Sequence, residues 1–481
     1  MLVHCIIGRL DIGAAAMQVV HLARGMNHDR FRTRLMAGAP LPGEPDMRAY
    51  AAERGVEVHP LPGTGLRFGA EAGGGGASAD PAVLHACATF FAFRRHFRRE
   101  RPHIVHTHGD GVALVARVAA VLARVPVLVH TAGPVGGILE RDDGLAPCAP
   151  RSRRAPGAPR GGSAPSPVAG EPAVTSPGAS KAMAAGGSTT RGAHAGGPPA
   201  GVTASGPSAL RRASERWVAR FTRRILTDSE WRAKALAERL ETFPRKRIRV
   251  IRPGLELERL TALPIVYGDS DAALVARAML GLDDDTWVVG VVGRLEAAKN
   301  HALLFDAVAS LEEDDVRVLV VGGGEREAEL RAYAARRGLE SRVTWLGWRD
   351  DLSDIYPAMD VLAVPANEEG ASAAIIEALA AGVPVVARAG GGISETLDFG
   401  CYGRMVAGEE GEPLVRAFAA AIDETLEDPP AVALRRDARR AVSRRYEIGR
   451  LLREMEDLYV EALIEAGVMA EPLGAGPGEA G

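Results

Sequence analysis

The chain has 481 residues, 47% hydrophobic and 25% charged, the proportions of a globular protein with room for two or three domains. Its four cysteines (Cys5, Cys87, Cys148, Cys401) form no C-x-x-C pair, which argues against a disulfide framework or a zinc site. The formal net charge of −3 conceals opposite halves: residues 1–260 hold 37 basic and 21 acidic side chains, a net of +16, and the remainder has a net of −19. Two domains with different partners fit this asymmetry, the first facing something anionic; drift in solvated surface charge is the plainer alternative.

The N-terminus, "MLVHCIIGRLD", reads as a strand entering a polar loop and not as a signal peptide, so a cytoplasmic protein is expected. Gly8 and Gly13 flank the turn after that strand. Further strands are expected at "RTRLMAG", "HIVHTH", "PVLVH", "RILTDS" and "IRVIRPG". His106, His108 and His130 fall at the C-terminal ends of two of them, the usual ligand edge of an open α/β sheet. Ser229 is placed to cap a helix. The stretch "FFAFRRHFRRERP", 90–102, sets Phe90, Phe93 and Phe97 on one helical face among arginines. It reads either as a basic aromatic helix for an anionic bilayer surface or as an ordinary sheet-covering helix. The apolar run "GVALVARVAAVLARVPVLV" is broken by Arg117 and Arg124 and is no membrane span.

Residues 147–208 contain no aromatic, leucine or isoleucine. Such a segment cannot bury enough apolar surface to offset its ordering entropy and is expected to be disordered. The Gly-rich stretch near residue 75 and the tail 467–481 are similar in character.

The second half repeats the strand–helix alternation at "WVVGVVG", "VRVLVVGGG", "RVTWLG", "DVLAVP" and "VPVVA". Repeated β-α-β units imply parallel sheets with helices on both faces, here two of them, one per half. After "WVVGVVG" come Arg294 and then Lys299, at the start of a helix. Two cations at the positive end of a helix dipole are unfavourable by a few tenths of a kcal/mol each, unless an anion binds between them. Only four lysines stand beside 54 arginines, so a lysine there is no background residue. The acidic runs Asp269-Ser270-Asp271 and Asp283–Asp285 read as solvated loops and not as a metal site. Downstream, "EEGASAAIIEALAAGVPVV" reads as a loop, a short helix capped by Ser372 and closed by Gly382, and a buried strand. Glu377 lies off the apolar stripe of that helix with no cation three or four residues away.

"VGRLEAAKNH", the run from "VLVVGGGEREAEL" to "AAIIEALAAGVPVVA", and "GGISETLDFGCYG" resemble, in that order, the C-terminal domain of glycosyltransferase family 4. These are retaining, nucleotide-sugar-dependent enzymes of the GT-B fold, with two Rossmann-like doubly wound sheets facing across a cleft. The likeness covers 286–440; "GRLDIGAAAMQVVHLARGM", "RPHIVHTHG" and "ALRRASERWVARFTRRILTDSEWRA" resemble the N-terminal half more loosely. The resemblance implies an acceptor-side domain over 1–260 with 147–208 as an insertion, and a linker over 261–285. It further implies a nucleotide-sugar domain over 286–440 and a helix over 441–466 crossing back to the first domain. By it, Arg294 and Lys299 embrace the diphosphate, Glu369 holds hydroxyls of the donor sugar, and Glu377 holds the ribose. His108 stands nearest the reacting centre, and Gly13, Gly370 and His130 complete the substrate-binding set. The loop departs from the family's G-G-A-E in reading Gly13-Ala14-Ala15-Ala16.

The implied activity is metal-independent, retaining transfer from a nucleotide-diphosphate sugar to a lipid-linked or polysaccharide-precursor acceptor, with no cofactor and no nucleic acid. A peripheral site at the inner face of an anionic membrane would suit the basic first domain. A sugar-nucleotide epimerase of the same fold and a non-catalytic sugar-nucleotide-binding protein are the competing readings.

Overall fold

A computed structural model of the chain describes residues 1–10, 13–38, 46–63, 81–109, 111–133, 209–240, 243–265, 270–312, 315–367 and 369–470. The segment 147–208, the Gly-rich stretch near residue 75 and the tail beyond residue 470 lie outside them. Among the described residues, no helix is long and apolar enough to cross a membrane.

The first sheet contains β1 (Leu2–Ile7), β2 (Arg32–Ala37), β3 (Val58–Pro60), β4 (Ile104–His108), β5 (Val127–Thr131), β6 (Arg224–Thr227) and β7 (Ile248–Val250) in the order β3-β2-β1-β4-β5-β6-β7. The second contains β8 (Trp287–Val292), β9 (Val316–Val321), β10 (Val343–Gly347), β11 (Val361–Val364), β12 (Val385–Arg388) and β13 (Arg404–Val406) in the order β10-β9-β8-β11-β12-β13. Every pairing is parallel. The central strands are nearly continuous apolar runs because helices cover both faces. Strand order reverses between β1 and β4 in one sheet and between β8 and β11 in the other, and ligands of open α/β sheets bind outside the strand ends at such points.

The three-residue strands β3 and β13 were not among the expected elements; both lie at sheet edges, where a short run carries little apolar signal. Within the stretch 261–285, expected to be a linker, the described residues include one helix of ten residues. Helix Asp271–Leu280 begins at Ser270, whose hydroxyl accepts from the Ala273 N–H, and ends at Gly281 with φ 67°. It is anchored by Arg277, whose guanidinium pairs at 2.7 Å with Asp360, both almost wholly buried, and which also donates to the Asp284 carbonyl. Asp283–Asp285 is exposed loop, and Asp271 is an exposed first-turn residue.

Of the two readings of the 90–102 stretch, the structure shows the sheet-covering one. Helix Pro81–Glu100 buries Phe93 and Phe97 among Ile6, Val105 and Ala116; Phe91, on the other side, is exposed.

The chain passes between the sheets twice. Leu255 and Glu447 form a parallel bridge, and Arg450 donates to the carbonyls of Arg252 and Pro253. A Cβ on Gly254 would lie 2.8 Å from Leu451 Cβ and 3.0 Å from Ile448 Cα, so the two passages touch through a glycine. The helix expected over 441–466 is two helices, Val432–Tyr446 and Ile448–Glu465, separated at the extended Glu447. The first packs Ala438, Val442 and Tyr446 into the core of the second sheet. The second packs Leu451, Met455, Leu458 and Tyr459 against Val3 and Cys5 of the first.

Truncating one partner of a buried ion pair leaves the other charge uncompensated. Arg277→Ala is therefore expected to lower unfolding stability by about 3–5 kcal/mol in denaturant titrations. Arg440→Ala, which removes an exposed pair with Asp437, should cost less than about 1 kcal/mol.

Candidate active site

At the switch point of the second sheet, Arg294 follows β8 through Gly293. The loop after β9 is pressed against it: a Cβ on Gly322 would sit 2.0 Å from the Gly293 carbonyl oxygen, and one on Gly324 2.6 Å from that of Leu295. The Leu295 N–H donates to the Gly323 carbonyl at 2.9 Å. The "VGGGE" glycines thus fix the backbone that carries Arg294. Its guanidinium lies 3.5 Å from the Glu296 carboxylate and stays well exposed.

Lys299 ends a single 3-10 turn, Ala297–Lys299, and Asn300 (φ 50°) separates it from helix His301–Ala309. It therefore lies just outside that helix. The loop is stitched to the one after β11: the Asn367 N–H donates to the Ala298 carbonyl at 3.2 Å, and the Asn300 amide donates to Asn367 Oδ1 at 3.0 Å. Lys299 Nζ pairs directly with the Glu369 carboxylate. The resemblance had given these two residues separate partners; the fold makes them partners of each other.

Glu369 is held from behind. The Gly392 N–H donates to its carbonyl at 2.7 Å, and Gly391, at φ +51°, approaches so closely that a Cβ would lie 2.6 Å from the same oxygen. Gly370 backs onto the first half of the chain, where a Cβ would meet Asp228 Oδ2 at 2.2 Å. Asp228 follows β6 and receives Arg232 at 2.5 Å. Close by in sequence, Glu395 accepts from the free N–H groups of Glu230 (3.0 Å) and Trp231 (2.6 Å), where a carboxylate also meets the positive end of helix Glu230–Arg239. Ser229 caps that helix as expected.

Helix Ala373–Ala381 ends at Gly382 with φ 83°; Ser372 occupies the N-cap position, but its hydroxyl makes no capping bond. Glu377 finds a phenol instead of a cation. Fully buried Tyr356 donates to Glu377 Oε2 at 2.9 Å. Burial drives the Glu377 carboxyl up to about 7, with the Tyr356 bond pulling the other way, so it titrates near neutrality. Burial, with the Glu377 charge, raises the Tyr356 phenol well above its usual value; it stays a donor.

In the first sheet, His106, His108 and His130 are all buried. His106 is engaged through both nitrogens, with the Tyr459 hydroxyl (2.7 Å) and Thr131 Oγ1 (2.8 Å). His130 Nδ1 lies 3.0 Å from Thr107 Oγ1. His108 lies against His106 with the rings tilted and their centres 4.0 Å apart, and its Nε2 has no hydrogen-bond partner. Burial lowers all three, His108 to about 3, so they are neutral imidazoles. Cys5, His106 and His108 offer ligand atoms within 4.8 Å of one another, the one metal-capable group among the described residues. Its fit to a metal is poor, because both His106 nitrogens are taken and burial raises the Cys5 thiol to about 12. Gly13 is the N-cap of helix Ala14–Gly25 in extended conformation (φ 165°), with nothing within 4 Å of where a Cβ would lie.

Reading the sequence missed Tyr356, Asn367, Asp228 and Glu395 as parts of the site, since each acts across a long sequence separation. Gly391 and Gly392 stand in the quoted motif "GGISETLDFGCYG", but with no role assigned to them.

The buried histidines set the pH dependence of stability. His4 and His108 are lowered by burial to about 3 and His301 to about 4. Between those values and 6.5 the unfolded chain binds more protons, so stability is full above pH 6.5 and is lost as pH falls. At pH 5 each costs about 2 kcal/mol relative to neutrality. Glu377, raised to about 7, and Asp360, raised to about 6, act in the opposite sense, but His106 and His130, also lowered by burial, add to the loss. Denaturant titrations are expected to show a net loss of several kcal/mol between pH 7 and 5.

A family model described as "Glycosyl transferases group 1" matches residues 275–445, and one described as "Glycosyl transferase 4-like domain" matches residues 13–254. The D-inositol 3-phosphate glycosyltransferase of Mycobacterium sp. (strain JLS) is 36% identical over 233 residues, 47% of this chain and 50% of that protein. The one from Salinispora tropica is 31% identical over 255 residues, 50% of this chain and 52% of the relative. The chain spans about half the length of these curated relatives. Among solved structures, Anabaena HepE in complex with UDP and glucose superposes with a TM-score of 0.65 at 19% identity, covering 96% of this chain and 100% of that one. Sucrose-phosphate synthase from Thermosynechococcus elongatus gives 0.66 at 18%, covering 97% and 100%. These likenesses show the fold, which is GT-B. With two models covering its two halves in order, the chain belongs to the group 1 glycosyltransferases of family 4 type.

Proposed function

We propose that the protein transfers a sugar from a nucleotide-diphosphate sugar to a lipid-linked or polysaccharide-precursor acceptor, with retention of anomeric configuration and without a metal. The observation that carries this reading is the placement of Arg294 and Lys299 beyond β8, beside Glu369 beyond β11, with Glu377 on the following helix. Breaking the glycosidic bond to a diphosphate leaves negative charge on the β-phosphate oxygen. Fixed cations stabilise that charge as it develops, and two of them supply what a divalent ion otherwise would. Once the phosphate engages Lys299, the Glu369 carboxylate is released to accept from sugar hydroxyls. Glu377, steadied by Tyr356, accepts from a ribose diol. His108 Nε2, buried and unpaired, offers a neutral imidazole nitrogen to a sugar or acceptor hydroxyl. The UDP and UDP-glucose bound by the structurally similar HepE support a nucleotide-sugar donor.

A second reading of the acceptor comes from the relatives, which are named for D-inositol 3-phosphate. It is a phosphorylated polyol in place of a lipid-linked glycan. Assaying purified protein with each acceptor class, after a thermal-shift screen of UDP, GDP and ADP has identified the base, separates the two, because a bound nucleotide stabilises the folded state. Nucleotide binding without turnover of any sugar donor in the presence of acceptor extracts would overturn the enzyme reading.

Arg294→Ala and Lys299→Ala should each lower turnover about 10²–10³-fold, the equivalent of about 2.7–4 kcal/mol of barrier. Glu377→Gln should weaken donor binding more than it slows the chemical step, because the ribose lies away from the charge change. Steady-state kinetics with both substrates varied distinguish the two effects.

A further inference from the structure

A cleft of about 160 Å³ lies in the first half of the chain, lined by Arg216, Ala219, Arg220, Leu240, Phe243, Pro244 and Arg247. Arg220 precedes β6 and Arg247 precedes β7, so the cleft opens at the N-terminal edge of the parallel sheet. His108, Thr131 and Asp228 lie at the opposite edge, about a strand length away, and nothing in the site described above uses this surface.

Its chemistry is specific. The floor is apolar and three guanidinium groups rim it. Beside them, Trp217 and Phe221 touch in a tilted pair with ring centres 5.0 Å apart and remain 39% and 50% exposed, although apolar side chains of this size are normally covered. Arg216 and Trp217 lie in the last turn of helix Ala209–Ala219, and Arg220 and Phe221 follow on the turn that ends it, where the Phe221 N–H donates to the Val218 carbonyl at 3.0 Å. Arg245 and Lys246 are exposed on the adjoining turn. The neighbouring carboxylates are spent elsewhere: Glu215 pairs with buried Arg117, and Glu461 and Glu465 pair with Arg224. Among the described residues, Arg216, Arg220, Arg245 and Lys246 have no carboxylate partner.

We infer that this face docks on an anionic phospholipid surface, with Trp217 and Phe221 entering the headgroup layer and Arg216, Arg220 and Arg247 gripping a lipid phosphate over the apolar floor. Guanidinium groups match phosphate oxygens in pairs, and aromatic rings with a polar rim prefer the membrane–water boundary. A nucleic acid would satisfy the cations but not the apolar floor. Docking at this edge leaves the opposite edge, with His108 and Asp228, open to the nucleotide-sugar donor and to an acceptor arriving from solvent, such as a phosphorylated polyol, and not to one held in the same bilayer.

The test is flotation of the full-length protein with phosphatidylglycerol/phosphatidylcholine vesicles and with phosphatidylcholine alone, at low and high salt. Binding to the anionic vesicles alone, weakening with salt, is expected. Trp217→Ser/Phe221→Ser and Arg216→Glu/Arg220→Glu should each reduce it at least tenfold, with melting temperature and nucleotide-induced thermal shift unchanged. All four side chains are exposed, and if one variant unfolds the other decides. Equal binding to neutral vesicles, no binding, or wild-type binding by a folded variant overturns the assignment. So does displacement from the vesicles by single-stranded RNA or by inorganic phosphate at modest concentration, either of which would name a different ligand.

Discussion

Gly370 has no room for a side chain, because Asp228 from the first sheet occupies the position a Cβ would take. This single approach brings the loop after β11 against the loop after β6, and the rest of the site is arranged around it. Glu369, the preceding residue, is fixed from the other side by Gly391 and Gly392. From the same helix as those glycines, Glu395 reaches the free N–H groups of helix Glu230–Arg239. The Glu369 carboxylate is thereby mounted on backbone with little freedom left. Pre-ordering of this kind lowers the entropy lost when a reactant is positioned.

Electrostatics then separates groups that hold the fold from groups with capacity to spare. Arg277 and Asp360 are sealed in the second sheet's core and satisfy one another and the backbone. Lys299 and Glu369 are paired but partly exposed, so solvent screens the pair and its dissociation is inexpensive. Arg294 is more exposed still. Glu377, with a neutral phenol as partner and a carboxyl near half-protonation at neutral pH, is the acid least committed to its charge. Perturbed groups of this kind gather where ligands are handled.

The two passages of chain between the sheets carry a further constraint. Leu255 pairs with Glu447, Gly254 lies against Leu451, and helix Ile448–Glu465 completes the core of the first sheet. Tyr459 on that helix also reaches His106, so the C-terminal helix packs against the imidazoles at the first sheet's ligand edge.

The order of amino acids alone settles the β-α-β alternation, eleven of the thirteen strands among the described residues, and the motif residues Arg294, Lys299, Glu369 and Glu377. These are local properties: apolar runs of strand length, glycines at turns, and charges whose spacing leaves them without a helical partner. Only the tertiary structure decided that Lys299 faces Glu369, that Tyr356 supplies the donor to Glu377, and that Gly370 is a contact with Asp228. It also decided that Phe93 and Phe97 are core while Trp217 and Phe221 are surface, although both pairs sit among arginines. Helical spacing fixes which side chains share a face, but the sheet packed against that face decides which face is buried. Partners such as Tyr356 and Glu377 are separated by 21 residues and Asp228 and Gly370 by many more; packing between elements, and no local propensity, brings them within bonding distance.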